Sequence, residues 1–321
     1  MGDTTMNNKI AFVFPGQGAQ YVGMGKALYD RYDAARHVYD TCDSEKIKNL
    51  SFGTCPSGSG SKEDLLPTNV AQPAIFMADM ATALSLKERG IVAQGVAGFS
   101  LGEVPALAYC GLLGMKEAYD FVCFRAEAMH KCTVAHKGGM MAVLGLPDET
   151  VEEICSNVDG AFPANYNAPG QVVVAFRSDA ADTLKKAVTD GSFSSGAKGK
   201  AMPLPVAGAF HSPLMDDAST EIGAYLQNIS FGEMSVPLYA NVTGEIYSDP
   251  KMLLTTQVNS PVRWHVTINQ MIADGFDTFI ETGPGKALAG MIKKIDKNVR
   301  VYNVFDDKTL ESVVKEIESQ K

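Results

Sequence analysis

Residues 98–103 read GFSLGE, which places Gly98, Ser100 and Gly102 in a G-x-S-x-G pattern. The run before the serine, Gln94 to Phe99, is short and mostly apolar, and the run after it, Leu101 to Ala108, reads as the start of a helix. A serine on a sharp strand-to-helix turn projects its hydroxyl away from the backbone, and small flanking glycines make that turn sterically possible. The Leu101 amide then falls at a helix N-terminus, where its N–H has no helical partner and can hold a developing oxyanion. The pattern points to nucleophilic acyl chemistry at Ser100, against the plainer reading of a glycine-rich βα turn with an incidental serine.

A serine hydroxyl is a poor nucleophile until a base takes its proton. His211 is the leading candidate, because it follows the apolar run ending at Val206 and precedes a helical stretch, and strand ends are where sites gather in open α/β sheets. A structural histidine is the alternative. His37, His130, His136 and His265 lie in charged segments or at helix ends and are weaker candidates. Serine hydrolases usually carry an acid between serine and histidine in chain order, yet none between Ser100 and His211 stands out. A backbone carbonyl could orient the base instead. Pro15-Gly16-Gln17-Gly18-Ala19-Gln20 is either an ordinary glycine turn or the source of a second oxyanion donor. It is not a dinucleotide fingerprint, since Tyr21 stands where the third glycine is required. Arg125 lies in an otherwise apolar, small-residue stretch, Phe121 to Ala126. It is either a bidentate clamp for a substrate carboxylate or a surface residue paired with Glu117 or Glu127.

The elements that must position these groups alternate. Residues 10–14 (IAFVF) form a buried strand stopped by Pro15-Gly16, residues 72–89 a helix, and residues 115–133 another. Residues 51–63 are rich in Ser and Gly and predict a flexible surface loop. Between about 137 and 206 the order is strand (140–144), helix (148–157), strand (161–166), strand (171–176), helix (179–189), strand (200–206), the β-α-β-β-α-β ferredoxin-like unit. Alternation then resumes to the C-terminus, with a helix near 213–228, an apolar run at 236–239, a helix at 264–274, a strand at 277–281, a helix at 286–295, a strand at 299–304 and a last helix. The expected architecture is a mostly parallel sheet with helices on both faces, split as 9–136 with 207–321, and a small unit, 137–206, inserted into it.

Composition sets limits on partners. The chain has 321 residues, 45% hydrophobic and 20% charged, enough for a large core. A net charge of −9 argues against nucleic acid or an anionic membrane as main partner, and no apolar run reaches spanning length. Met1 to Asn8 is polar and lacks a signal-peptide core. The six cysteines show no zinc or C-x-x-C spacing, and the five histidines no metal-binding spacing, so no metal is expected and reduced thiols are.

Taken in order, PGQGAQ, GFSLGE, Arg125, NAPGQVVVA (167–175), GAFHSPLM (208–215), QVNSPVRW (257–264) and ETGPGKAL (281–288) resemble the malonyl-CoA:acyl-carrier-protein transacylases, including the acyltransferase domains of fatty-acid and polyketide synthases. The resemblance runs from about Ile10 to about Val304. It implies an α/β-hydrolase-like large subdomain, a ferredoxin-like small one and a cleft between them. Ser100 would be the acylated serine, His211 the general base and acid, and Gln257 the residue whose main-chain carbonyl orients the histidine. The amides of Gln17 and Leu101 would be the oxyanion donors. Arg125 would pair with the malonyl carboxylate, Asn167 would be a pocket residue, and Phe210 a wall against branched acyl groups. Phe99 departs from the histidine common before the serine and removes any polar role there.

The implied substrates are malonyl-CoA and holo acyl carrier protein, with no tightly bound cofactor beyond the CoA thioester, in a monomer of the cytoplasm, or of a plastid or mitochondrial matrix after loss of a transit segment. An acidic carrier meeting this acidic chain requires a local basic patch, for which Lys198 and Lys200 or Lys293 and Lys294 are candidates. A malonyl-CoA hydrolase, a non-catalytic carrier-binding module and a free-standing polyketide-synthase acyltransferase are the competing readings.

Overall fold

The computed structural model describes residues 9–55, 60–192, 196–206 and 208–320; the polar start, residues 1–8, lies outside them. In chain order the strands among the described residues are β1 (Ile10–Phe14), β2 (Gly95–Gly98), β3 (Gly138–Leu144), β4 (Ala161–Ala168), β5 (Gln171–Arg177), β6 (Lys200–Pro203), β7 (Leu238–Tyr239), β8 (Thr278–Thr282) and β9 (Arg300–Val304). They form two sheets, ordered β7-β2-β1-β8-β9 and β4-β5-β3-β6.

Every pairing in the first sheet is parallel, with Phe12 beside Val96 on one side and Ile280 on the other. A parallel sheet carries helices on both faces, so its central strand reads as an unbroken apolar run rather than an alternation. The side chains of β1 still alternate in direction. Phe12 and Phe14 join the core formed with the helices Thr68–Glu88 and Met115–Ala135, whereas Ala11 and Val13 join Trp264, Ile268 and Phe279 on the opposite face. Each buried phenyl ring contributes about 1.5–3 kcal/mol.

The second sheet is antiparallel, and its strand order is that of a ferredoxin-like unit. Met141, Val143, Val172 and Val174 pack under the helices Asp148–Asn157 and Ala181–Asp190. Their neighbours Met140, Ala142 and Val173 point the other way, into a cleft beside the larger sheet. The period of two thus gives one strand both a core face and a site face.

Three local expectations are corrected. The helix expected at 72–89 begins at Thr68 and contains Pro73 in its interior. Proline favours a first turn, which is why the sequence alone marks the start too late. Ser51 and Phe52 belong to the helix Glu45–Phe52, where the buried Ser51 hydroxyl donates to the Ile47 carbonyl. The expected loop at 51–63 therefore starts later, and residues 56–59 of it lie outside the described ones. The strand expected at 200–206 ends at Pro203.

Candidate active site

Strand β2 ends at Gly98, and Ser100 follows at φ +53°, in the left-handed region that L side chains avoid. Holding a non-glycine residue there costs on the order of 1–3 kcal/mol. A Cβ on Gly98 would lie 2.0 Å from the Gly102 carbonyl carbon, and one on Gly102 would lie 2.0 Å from the Phe14 oxygen. Both glycines are thus required by close backbone approach. Asn241 holds the bend from behind: its Oδ1 accepts from the Ser100 amide at 2.7 Å, and its Nδ2 donates to the Gly98 carbonyl.

His211 is the second strained residue, at φ +57°. Its Nε2 lies 2.7 Å from Ser100 Oγ, and its Nδ1 lies 2.9 Å from the Gln257 carbonyl oxygen. A carbonyl only accepts, so Nδ1 carries the hydrogen and Nε2 presents its lone pair to the serine hydroxyl. His211 is 3% exposed. Burial pushes the imidazole down to about 4, helped by the Arg125 charge and opposed by the Gln257 carbonyl. Near neutral pH it is therefore an unprotonated base.

Arg125, on the helix Met115–Ala135, is 2% exposed and points inward. Its Nη1 donates to Gln72 Oε1 at 2.6 Å, and its Nη2 donates to Gln257 Oε1 at 2.7 Å and Ser100 Oγ at 3.3 Å. The surface reading fails because the guanidinium is buried and its hydrogen-bond partners are Gln72, Gln257 and Ser100 rather than Glu117 or Glu127. Burial lowers the guanidinium to about 10, which leaves it charged at neutral pH.

These groups open onto one cleft of about 250 Å³. Gln17, Ser100, Leu101, Arg125, Asn167, Phe210 and His211 all line it, with apolar walls from Phe99, Met129, Met140, Val173 and Leu204. Leu101 sits in the first turn of the short helix Ser100–Gly102, where an N–H lacks a helical acceptor. Asn167 lines the same cleft, and its buried Oδ1 has no hydrogen-bond partner among the described residues. The Phe99 ring packs edge-on against Trp264 at 5.5 Å, an apolar use of that position. The arrangement can deprotonate a serine and hold an anion beside it.

Gln257 does more than the sequence implies, since its side chain also donates to the Ser100 carbonyl at 2.7 Å and to Glu103. Gln72, Glu103 and Asn241 are site residues that sequence reasoning missed. Glu103 had a signal, a carboxylate at the start of an apolar helix, whereas Gln72 and Asn241 had none. His136 pairs with Asp217 at 3.1 Å and His265 lies 3.6 Å from Asp148, away from the serine. The six cysteines are free thiols. Among the described residues no His, Cys, Asp and Glu cluster is arranged to hold a metal, and no helix is long and apolar enough to cross a membrane. Lys198 and Lys200 are exposed. Lys293 donates to the Val299 carbonyl, and Lys294 to Gln171 Oε1 at 2.9 Å, on the cleft wall.

Fold and site define an acyl transferase: the family model described as an acyl transferase domain matches residues 11–310. A malonyl CoA-acyl carrier protein transacylase of Bacillus subtilis (strain 168) is 36% identical over 323 residues, covering 98% of each chain. The crystal structure of malonyl CoA-acyl carrier protein transacylase from Clostridium perfringens is 36% identical with a TM-score of 0.89, covering 97% of this chain and 98% of that one. A further structure, 29% identical with a TM-score of 0.86 and covering 96% of this chain and 99% of that one, holds a type II PKS acyl-carrier protein in complex with its malonyl-transacylase. The chain belongs to the malonyl-CoA:acyl-carrier-protein transacylase family.

Proposed function

We propose that this chain transfers the malonyl group from malonyl-CoA to the phosphopantetheine thiol of holo acyl carrier protein through an ester on Ser100, supplying elongation units for fatty-acid synthesis. The observation that carries the reading is the buried Arg125 guanidinium beside the Ser100–His211 pair in an apolar cleft. Ser100 Oγ attacks the thioester carbonyl as its proton passes to His211 Nε2. The amides of Gln17 and Leu101 hold the oxyanion, and losing one such donor costs roughly 100- to 1,000-fold in turnover. Collapse expels the CoA thiolate, which takes the proton back from His211. The carrier thiol then gives its proton to His211 and attacks the ester, and collapse returns Ser100 as the hydroxyl.

Arg125 pairs with the free malonyl carboxylate, while Asn167 and Phe210 bound the acyl pocket. Binding that carboxylate offsets the guanidinium charge that opposes protonation of His211, so the correct substrate strengthens the base that activates the serine. The cycle needs only the CoA thioester and the carrier. One chain supplies the whole site, which supports a monomer as the working unit. The two separate sheets support the division into 9–136 with 207–321 and 137–206. Lys294, beside the cleft wall, is the candidate contact for an acidic carrier. Partition of the malonyl group between pantetheine thioester and free malonate tests the reading, and release mostly as free acid would make the chain a hydrolase.

A further inference from the structure

Glu103 opens the helix Glu103–Cys110 and is 1% exposed. Its Oε1 accepts from the Asn241 amide at 3.0 Å, and its Oε2 accepts from Gln257 Nε2. The other end of that side-chain amide, Gln257 Oε1, accepts from Arg125 at 2.7 Å. Burial pushes the Glu103 carboxyl up to about 7, against the hydrogen bonds and the Arg125 charge that favour its ionised form; ionised, it only accepts, and a guanidinium only donates. An amide bridging the two is satisfied in a single orientation, with its NH₂ on the carboxylate and its oxygen on the guanidinium. Glu103, together with the Ser100 carbonyl that accepts from the same NH₂ at 2.7 Å, therefore sets which end of Gln257 faces Arg125, although Glu103 does not line the cleft.

We propose that Glu103 is a positioning residue for acyl-group selection, aiming the Arg125 guanidinium through the Gln257 side chain. This rests on the malonyl-transfer reading. In Glu103→Gln the Asn241 amide still claims the side-chain oxygen, which turns an NH₂ toward Gln257. Gln257 must then either meet donor with donor there or rotate and meet donor with donor at Arg125. Either way the guanidinium loses a fixed anchor.

The test is the rate of Ser100 acylation by malonyl-CoA and by acetyl-CoA, followed as intact mass in single turnovers. The ratio of the two rates is unaffected by any unfolded fraction, which lowers both equally. Glu103→Gln is expected to lower the malonyl:acetyl ratio about tenfold, the loss of one charge-assisted hydrogen bond. Gln257→Met, which keeps the main-chain carbonyl used by His211, is expected to lower it similarly, and the double variant no further. A wild-type ratio in Glu103→Gln, a variant that accepts neither ester, or additive effects in the double variant would overturn the proposal alone. A wild-type chain with no preference for malonyl-CoA would overturn the malonyl-transfer reading as well.

Discussion

Replacing Arg125 with alanine should convert a malonyl-selective site into one that no longer rejects acetyl. A guanidinium offers five N–H donors, of which three are engaged, to Gln72, Gln257 and Ser100. The Ser100 contact is the longest, at 3.3 Å, and is the one an incoming carboxylate would displace. Two charge-assisted bonds to the malonyl carboxylate, at about 1.5–3 kcal/mol each, amount to about 3–6 kcal/mol. That is on the order of 100- to 10,000-fold in kcat/KM for malonyl-CoA. Acetyl-CoA has no carboxylate to lose, and the apolar walls that remain suit a methyl group, so its kcat/KM should hold or rise. The assay is stopped-flow release of the CoA thiol with each ester. Arg125→Lys, which keeps the charge but lacks the planar fork, should fall between the two. If Arg125→Ala retains the wild-type preference for malonyl-CoA, the guanidinium does not select the acyl group and the reasoning is refuted.

Other outcomes follow from the same geometry. The His211 imidazole, held down to about 4 by burial and then by the Arg125 charge, should place the acid limb of the acylation rate against pH well below 6.5, and Arg125→Ala should move that limb upward. For stability, a histidine depressed on folding contributes above about pH 6.5 and loses its contribution as pH falls toward about 4; urea midpoints across that window check the direction. Gly102→Ala would drive a Cβ to 2.0 Å from the Phe14 oxygen, a backbone collision with no flexible partner, and should destabilise by about 3 kcal/mol or more in chemical denaturation. Asn241→Ala leaves the part-buried Ser100 amide without its acceptor, at a cost of at most about 1–3 kcal/mol, and should slow acylation more than it raises the KM for malonyl-CoA, as steady-state kinetics would show.

Much of this was legible in the chain because the signals were local. IAFVF reads as a buried strand, and the glycines around Ser100 mark a tight bend. The β-α-β-β-α-β order of the small unit could be read from periodicity alone. The resemblance to the transacylases supplied what spacing could not: that the Gln257 main-chain carbonyl meets the His211 ring and that Arg125 faces inward. What stayed hidden depends on tertiary placement. Asn241 reaches Ser100 across 141 positions of sequence, and nothing near it marks it as a brace. Gln72 looks like one polar residue in an apolar helix until Arg125 is seen against it. The helix read at 72–89 starts one turn earlier, at Thr68, with Pro73 inside it.

The central claim is that Ser100 carries the acyl group between thioesters. Brief mixing with malonyl-CoA followed by intact mass measurement should show the chain heavier by one malonyl group, with that mass lost on addition of holo acyl carrier protein and never gained by Ser100→Ala. An unlabelled wild-type chain, or a label that survives in Ser100→Ala, would contradict it.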